Sequence, residues 1–110
     1  MAAYVRKKRV GHHEYYQLVE SRRVDGKPRQ KVMVHLGVHP TVDDALDMWP
    51  REIEELRRNA TRERENANTW PEKSHRHLNA LRRANSVEKR AKGLESSLQK
   101  LRELRKQGVV

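Results

Sequence analysis

Residues 14–37 read EYYQLVESRRVDGKPRQKVMVHLG, and the Asp25-Gly26 pair near their centre decides the fold. A two-residue type I′ turn needs positive φ at both central positions, and Asp-Gly accepts that backbone readily. The pair therefore joins two runs rich in Tyr and Val, residues 14–24 and 29–36, as antiparallel strands. Gly37 closes the second run. Pro28 lacks a backbone donor, which fits an edge strand. Upstream, residues 4–9 form a short charged strand, and Gly11-His12 offers the turn that brings it alongside.

The turn also predicts a register. Val24 faces Lys27, Glu20 faces Lys31, Val19 faces Val32 and Leu18 faces Met33. Strand alternation then divides the ribbon into two faces. Tyr15, Val19, Val32, Val34 and Leu36 form the expected core face. Tyr16, Leu18, Glu20, Arg22, Arg29, Lys31, Met33 and His35 form the expected exposed face.

Beyond residue 40 the pattern becomes helical. Thr41 is a helix N-cap, with Asp44 at the capping-box position and Asp43 and Asp47 suiting the positive end of the helix dipole. Pro50 is expected to end this helix, to kink it, or to open the next one. Trp49, Ile53, Leu56 and Ala60 share one face at spacings of four, three and four. A loop is expected over residues 67–71, in the run Asn-Ala-Asn-Thr-Trp-Pro, with Trp70-Pro71 fixing it against the sheet. A long helix follows, starting near Glu72 or Ser86 and stopping at Gly108. Ala80, Ala84, Val87, Ala91, Leu94, Leu98 and Leu101 recur as a heptad seam. This seam either folds back on the middle helix or pairs with a second copy. Fold-back suits most of its length and a dimer suits residues 94–104. Val87, Ala91, Leu94, Leu98 and Leu101 are accordingly the candidate partner or oligomer interface. The fold class is α+β, a three-stranded antiparallel sheet followed by two or three helices, the last coiled-coil-like. The expected organisation is a basic sheet module over residues 1–40, an acidic helical segment over 41–66, the loop, and a basic helical extension over 72–108.

Charge follows the same division. The chain of 110 residues carries a formal net charge of +10. Residues 1–40 hold nine Lys or Arg and three Asp or Glu, residues 41–70 hold five and eight, and residues 71–110 hold eleven and four. Two basic blocks thus flank an acidic one. Such a balance favours a polyanionic partner. With 35% hydrophobic residues and no Phe, the core is thin and some apolar surface calls for a partner, a second copy or a larger protein. The chain has no Cys, which excludes disulfides and thiolate metal sites and suits a reducing cytoplasm. The basic run at residues 6–9 is not followed by an apolar stretch, so it does not open a signal peptide. No segment has the length of a membrane span. The expected location is cytoplasmic, at the nucleoid if DNA is the partner.

One stretch resembles a known family. Ala-Tyr-Val-Arg-Lys-Lys from residue 3, Glu-Tyr-Tyr-Gln-Leu-Val-Glu-Ser, Val-Asp-Gly-Lys-Pro-Arg-Gln-Lys-Val and the closing His-Leu-Gly are similar to the N-terminal segment of DDE-type insertion-sequence transposases. That resemblance covers residues 3–37. It implies a segment that precedes a catalytic domain and helps hold transposon DNA, in a prokaryotic or phage-like setting. The family's catalytic core needs three separated carboxylates on an RNase H-like sheet with divalent metal. A chain of this length is not expected to hold such a core, so the resemblance implies a DNA-binding head and not an enzyme.

The candidate nucleic-acid-binding residues are Arg6, Lys7, Lys8 and Arg9 on the first strand, Arg22, Arg29 and Lys31 on the hairpin, and Arg82, Arg83, Lys89 and Arg90 on the last helix. A two- or three-stranded ribbon fits the major groove of DNA, where Arg pairs bidentately with guanine. Lys and Arg on phosphates supply affinity without sequence information. About six neutralised phosphates give a salt slope of about −5. For the helix, the competing reading is an ordinary charged surface neutralised by Glu52, Glu54 and Glu55. Tyr4, Tyr15 and Tyr16 could stack on bases, but Tyr15 reads more naturally as core. His12-His13, His35/His39 and His75/His77 lack zinc spacing and point instead to phosphate hydrogen bonds or pH-tuned charge. No cofactor, metal, small-molecule substrate or catalytic motif is implied. Two other readings stay open: an RNA-binding ribonucleoprotein subunit, and an accessory or regulatory subunit docking through its helices.

Overall fold

A computed structural model describes residues 3–110; Met1 and Ala2 lie outside the described residues. Strands β1 (Ala3–Val10), β2 (His13–Val24) and β3 (Lys27–Gly37) precede helices α1 (Val42–Asn68) and α2 (His75–Lys106). The strands form one antiparallel sheet in the order β1-β2-β3. The fold is α+β, with a three-stranded sheet followed by two helices.

Both turns follow from their residues. Asp25 and Gly26 have φ of 54° and 75°, the two positive values of a type I′ turn. In the first hairpin Val10 pairs with His13, so Gly11-His12 is a two-residue loop. Gly11 alone has positive φ there, at 61°, as a type II′ turn requires of its first central residue.

The register holds from Val24↔Lys27 to Val19↔Val32, then shifts. An irregularity between Leu18 and Val19 places Leu18 opposite Val34 rather than Met33. The extra residue moves Val34 to the face of Leu18. A second shift between Tyr16 and Gln17 leaves Tyr16 opposite Gly37. The sequence-derived faces are thereby corrected. Leu18, 1% exposed, joins Val34 and Leu36 in the core, whereas Tyr15, expected inside, is exposed. His35 pairs with Gln17 and so lies on the face opposite Arg22 and Arg29.

The chain divides into two compact units. The first comprises the residues up to Met48 together with Ser97–Val110. Its buried hydrophobic residues are Leu18, Val19, Val34 and Leu36 of the sheet, Ala45 of α1 and Leu98, Leu101 and Leu104 of α2. Burying one such Leu contributes about 1.5–3 kcal/mol. Arg105 forms an ion pair with Asp43 in the same unit. The second unit, Trp49–Ser96, is an antiparallel pair of helical segments. Trp49, Ile53, Ala60, Ala67, Ala80, Ala84 and Ala91 are buried there. Alanine at these positions suits close helix approach. Ion pairs Arg57–Glu95, Arg64–Glu88 and Arg83–Glu63 run along the pair.

Capping explains the helix ends. The Asp44 amide donates to Thr41 Oγ1 at 3.1 Å, and the His77 amide donates to Ser74 Oγ at 3.2 Å, so Ser74 sets the start of α2. At the other end Val109 N donates to Leu104 O and Gly108 N to Arg105 O, each at 3.0 Å, a Schellman motif around Gly108. Pro50 neither ends α1 nor opens another helix; it lies inside α1. A proline removes only its own donor, and flanking hydrogen bonds carry the helix past it at a cost of about 3 kcal/mol. The asparagine-rich run does not break the helix before Asn68 either. The connection spans residues 69–74, where Trp70 carries the Arg76 guanidinium 4.6 Å above its ring.

Candidate nucleic-acid interface

β1 ends its pairing at Ala3↔Glu20, while β2 and β3 continue to the Asp25-Gly26 turn. Residues 21–31 therefore form a two-stranded ribbon that runs past the end of β1, and every one of them is exposed. The ribbon carries Arg22, Arg23, Lys27, Arg29 and Lys31 against a single acid, Asp25. Its length comes from the sequence itself, because charged residues on both faces leave nothing for a core to hold.

Not all of the sheet's cations are free. Arg22 is gripped by Glu20, with Nε at 3.2 Å from Oε1 and a terminal nitrogen at 3.2 Å from Oε2. Glu20 is 6% exposed, so this buried carboxylate cancels the Arg22 charge at the base of the ribbon. Lys7 pairs with Glu14 at 3.1 Å. The hydrogen bond and charge of Glu14 raise its pKa above the ordinary 10.5. Lys8, Arg9, Arg23, Lys27, Arg29 and Lys31 have no acidic partner among the described residues. Arg22 and Arg29 are cross-strand neighbours, a like-charge pairing that is unfavourable unless an anion sits near it, and Glu20 is that anion for Arg22.

The opposite face of the sheet holds an ordered polar ladder. Arg6 pairs with Gln17 in register. One Arg6 terminal nitrogen donates to Gln17 Oε1 at 2.7 Å and the other to Gln30 Oε1. Gln30 Nε2 donates to the Tyr4 hydroxyl. Gln17 Nε2 lies 3.4 Å from His35 Nδ1. Five polar side chains from three strands are thus joined, and Arg6 receives only neutral amide oxygens. A cavity of about 250 Å³ opens beside this ladder, with Lys8, Tyr15, Gln17 and His35 in its lining.

The helical candidates are dispersed. Arg83 is engaged by Glu63 at 3.0 Å. Arg82, Lys89 and Arg90 are exposed. Glu54 pairs with Arg58 of its own helix and not with the last helix. Ala91, Leu98 and Leu101, placed in the expected oligomer seam, are buried within the chain at 0%, 4% and 0% exposure. The chain itself therefore covers them, and among the seam residues named for a partner only Val87 and Leu94 remain half-exposed. Trp70, expected against the sheet, has Arg76 as its partner. Among the described residues no helix is long and apolar enough to cross a membrane.

The geometry so described is a sheet whose exposed parts are rich in Arg, Lys and Gln. Residues 3–72 match the model described as IS1634 family transposase, N-terminal domain. The chain belongs to this family. Neither a curated protein nor a solved structure matches it. The IS1634 N-terminal match takes in the whole sheet and α1 and stops before α2. It therefore contains Arg6, Lys7, Lys8, Arg9, Arg22, Arg29 and Lys31, and excludes Arg82, Arg83, Lys89 and Arg90. Sequence reasoning did not single out Arg23, Lys27, Gln17 or Gln30 for the interface, and it gave Tyr4 only a stacking role. The two turns carried the signal for them, since two-residue loops fix Arg6↔Gln17, Ser21↔Gln30 and Arg23↔Pro28 by counting.

Proposed function

We propose that this IS1634-type N-terminal domain is a non-enzymatic module that binds double-stranded DNA through its sheet. The observation that carries the reading is the ribbon of residues 21–31, wholly exposed, with five cations and one acid. A two-stranded ribbon fits the major groove of B-DNA, which is about 12 Å wide. Lys8, Arg9, Arg23, Lys27, Arg29 and Lys31 supply charge to phosphates. The family membership supports a role in handling transposon DNA, and the matched residues contain the sheet.

Competition separates duplex DNA from duplex RNA, because the A-form major groove is too narrow for a ribbon. A labelled 20-base-pair DNA duplex is expected to be displaced by unlabelled DNA at much lower concentration than by RNA of the same sequence. Equal displacement would move the assignment to shape-independent polyanion binding.

A further inference from the structure

We propose that the face carrying Tyr4, Arg6, Gln17, Gln30 and His35 reads base edges, with Arg6 and Gln30 setting sequence preference. The inference rests on the DNA-binding reading above and deepens it. A ladder whose task is only to join strands gains most from a carboxylate opposite Arg6, since charge-assisted hydrogen bonds are roughly twice as strong as neutral ones. Here both acceptors are glutamine amides. The guanidinium is held in a fixed orientation while its charge and its remaining N–H groups stay available. Tyr4, Gln30 and His35 are exposed, Arg6 is half-buried and Gln17 is buried, so the outer members of the ladder are accessible to a partner while Gln17 anchors Arg6 from below.

The residue types match the groove. Arg donates bidentately to guanine O6 and N7, and Gln pairs bidentately with adenine N6 and N7. Alternate residues on one strand face stand about 6.8 Å apart. That distance corresponds to two steps of the roughly 3.4 Å base-pair rise. Tyr4 and Arg6 on β1 are therefore spaced to meet every second base pair. The opposite ribbon face, with Lys27, Arg29 and Lys31, is left to flank the groove and meet phosphates. Preference is thus carried by Arg6 and Gln30 on one face, while much of the affinity comes from cations of the other face and of the sheet's rim.

The test is selection from a duplex library with a randomised 16-base-pair core, with bound molecules sequenced and the salt slope measured in parallel. The full chain is expected to enrich a motif, with discrimination of about 5- to 150-fold at each position read by a bidentate pair. Arg6→Lys keeps the charge but removes the planar fork, so its salt slope should hold while preference at one position relaxes. Gln30→Ala, at an exposed position, should relax a neighbouring position, and circular dichroism melting of both variants verifies folding. A flat base profile for the parent protein, with tight binding intact, overturns the inference and leaves the DNA reading standing. An unchanged motif in both folded variants also overturns it. Failure of the parent to bind any duplex overturns both readings together.

Discussion

Replacing Lys27, Arg29 and Lys31 together by Ala removes three of the six sheet cations proposed to meet phosphates. Each phosphate neutralised contributes about −0.9 to the slope of log affinity against log salt. Six contacts give a slope of about −5 for the parent, and three give about −3 for the triple variant. Between 50 and 200 mM salt the parent should lose roughly 10³-fold in affinity, and the variant only about 40-fold. Fluorescence anisotropy with a short labelled duplex reads both slopes. The three side chains are exposed, so the melting temperature should barely move. A parallel variant, Arg82→Ala with Lys89→Ala and Arg90→Ala, should leave the slope near −5. If the hairpin variant keeps the parent slope while the helix variant lowers it, the ribbon is not the DNA-contacting element.

Two further outcomes concern the fold itself. Leu18→Ala should destabilise the protein by about 2–5 kcal/mol, as expected for a buried leucine; a loss below about 0.5 kcal/mol in urea denaturation would return Leu18 to the exposed face that simple alternation assigns. Gly93→Ala should stabilise by about 0.5–1 kcal/mol, because a Cβ there meets nothing within 4 Å; a lower melting temperature would mean that α2 needs that glycine.

Local chemistry made most of this fold legible. Asp25-Gly26, Gly11-His12, Thr41 and Gly108 each act within a few residues, and the turns, the cap and the Schellman stop lie where those residues put them. The failures have one physical source, tertiary context overriding a local rule. Strand alternation is exact only without bulges, and the shift between Leu18 and Val19 exchanged the faces of Val34 and His35 and so put Val34 beside Leu18, on the side expected to be exposed. Pro50 looked like a boundary because proline lacks a donor, yet α1 continues through it. The polar stretch before Trp70 looked like a loop, but Ala67 is fully buried and its carbonyl lies 2.8 Å from His77 Nδ1. For the site, charge pointed to the ribbon, whereas uncharged Gln17 and Gln30 gave no signal until pairing placed them beside Arg6. Counting cations also could not reveal that Glu20 and Glu14 occupy Arg22 and Lys7.

Amide chemical-shift mapping of the full chain, titrated with a 16-base-pair DNA duplex at about 100 mM salt, locates the DNA-contacting element residue by residue. The largest perturbations are expected at residues 21–31, with further shifts at Arg6, Lys8, Gln17 and His35 and little change in residues 49–96. Perturbations concentrated in the helices, with the hairpin amides unmoved at saturation, would contradict it.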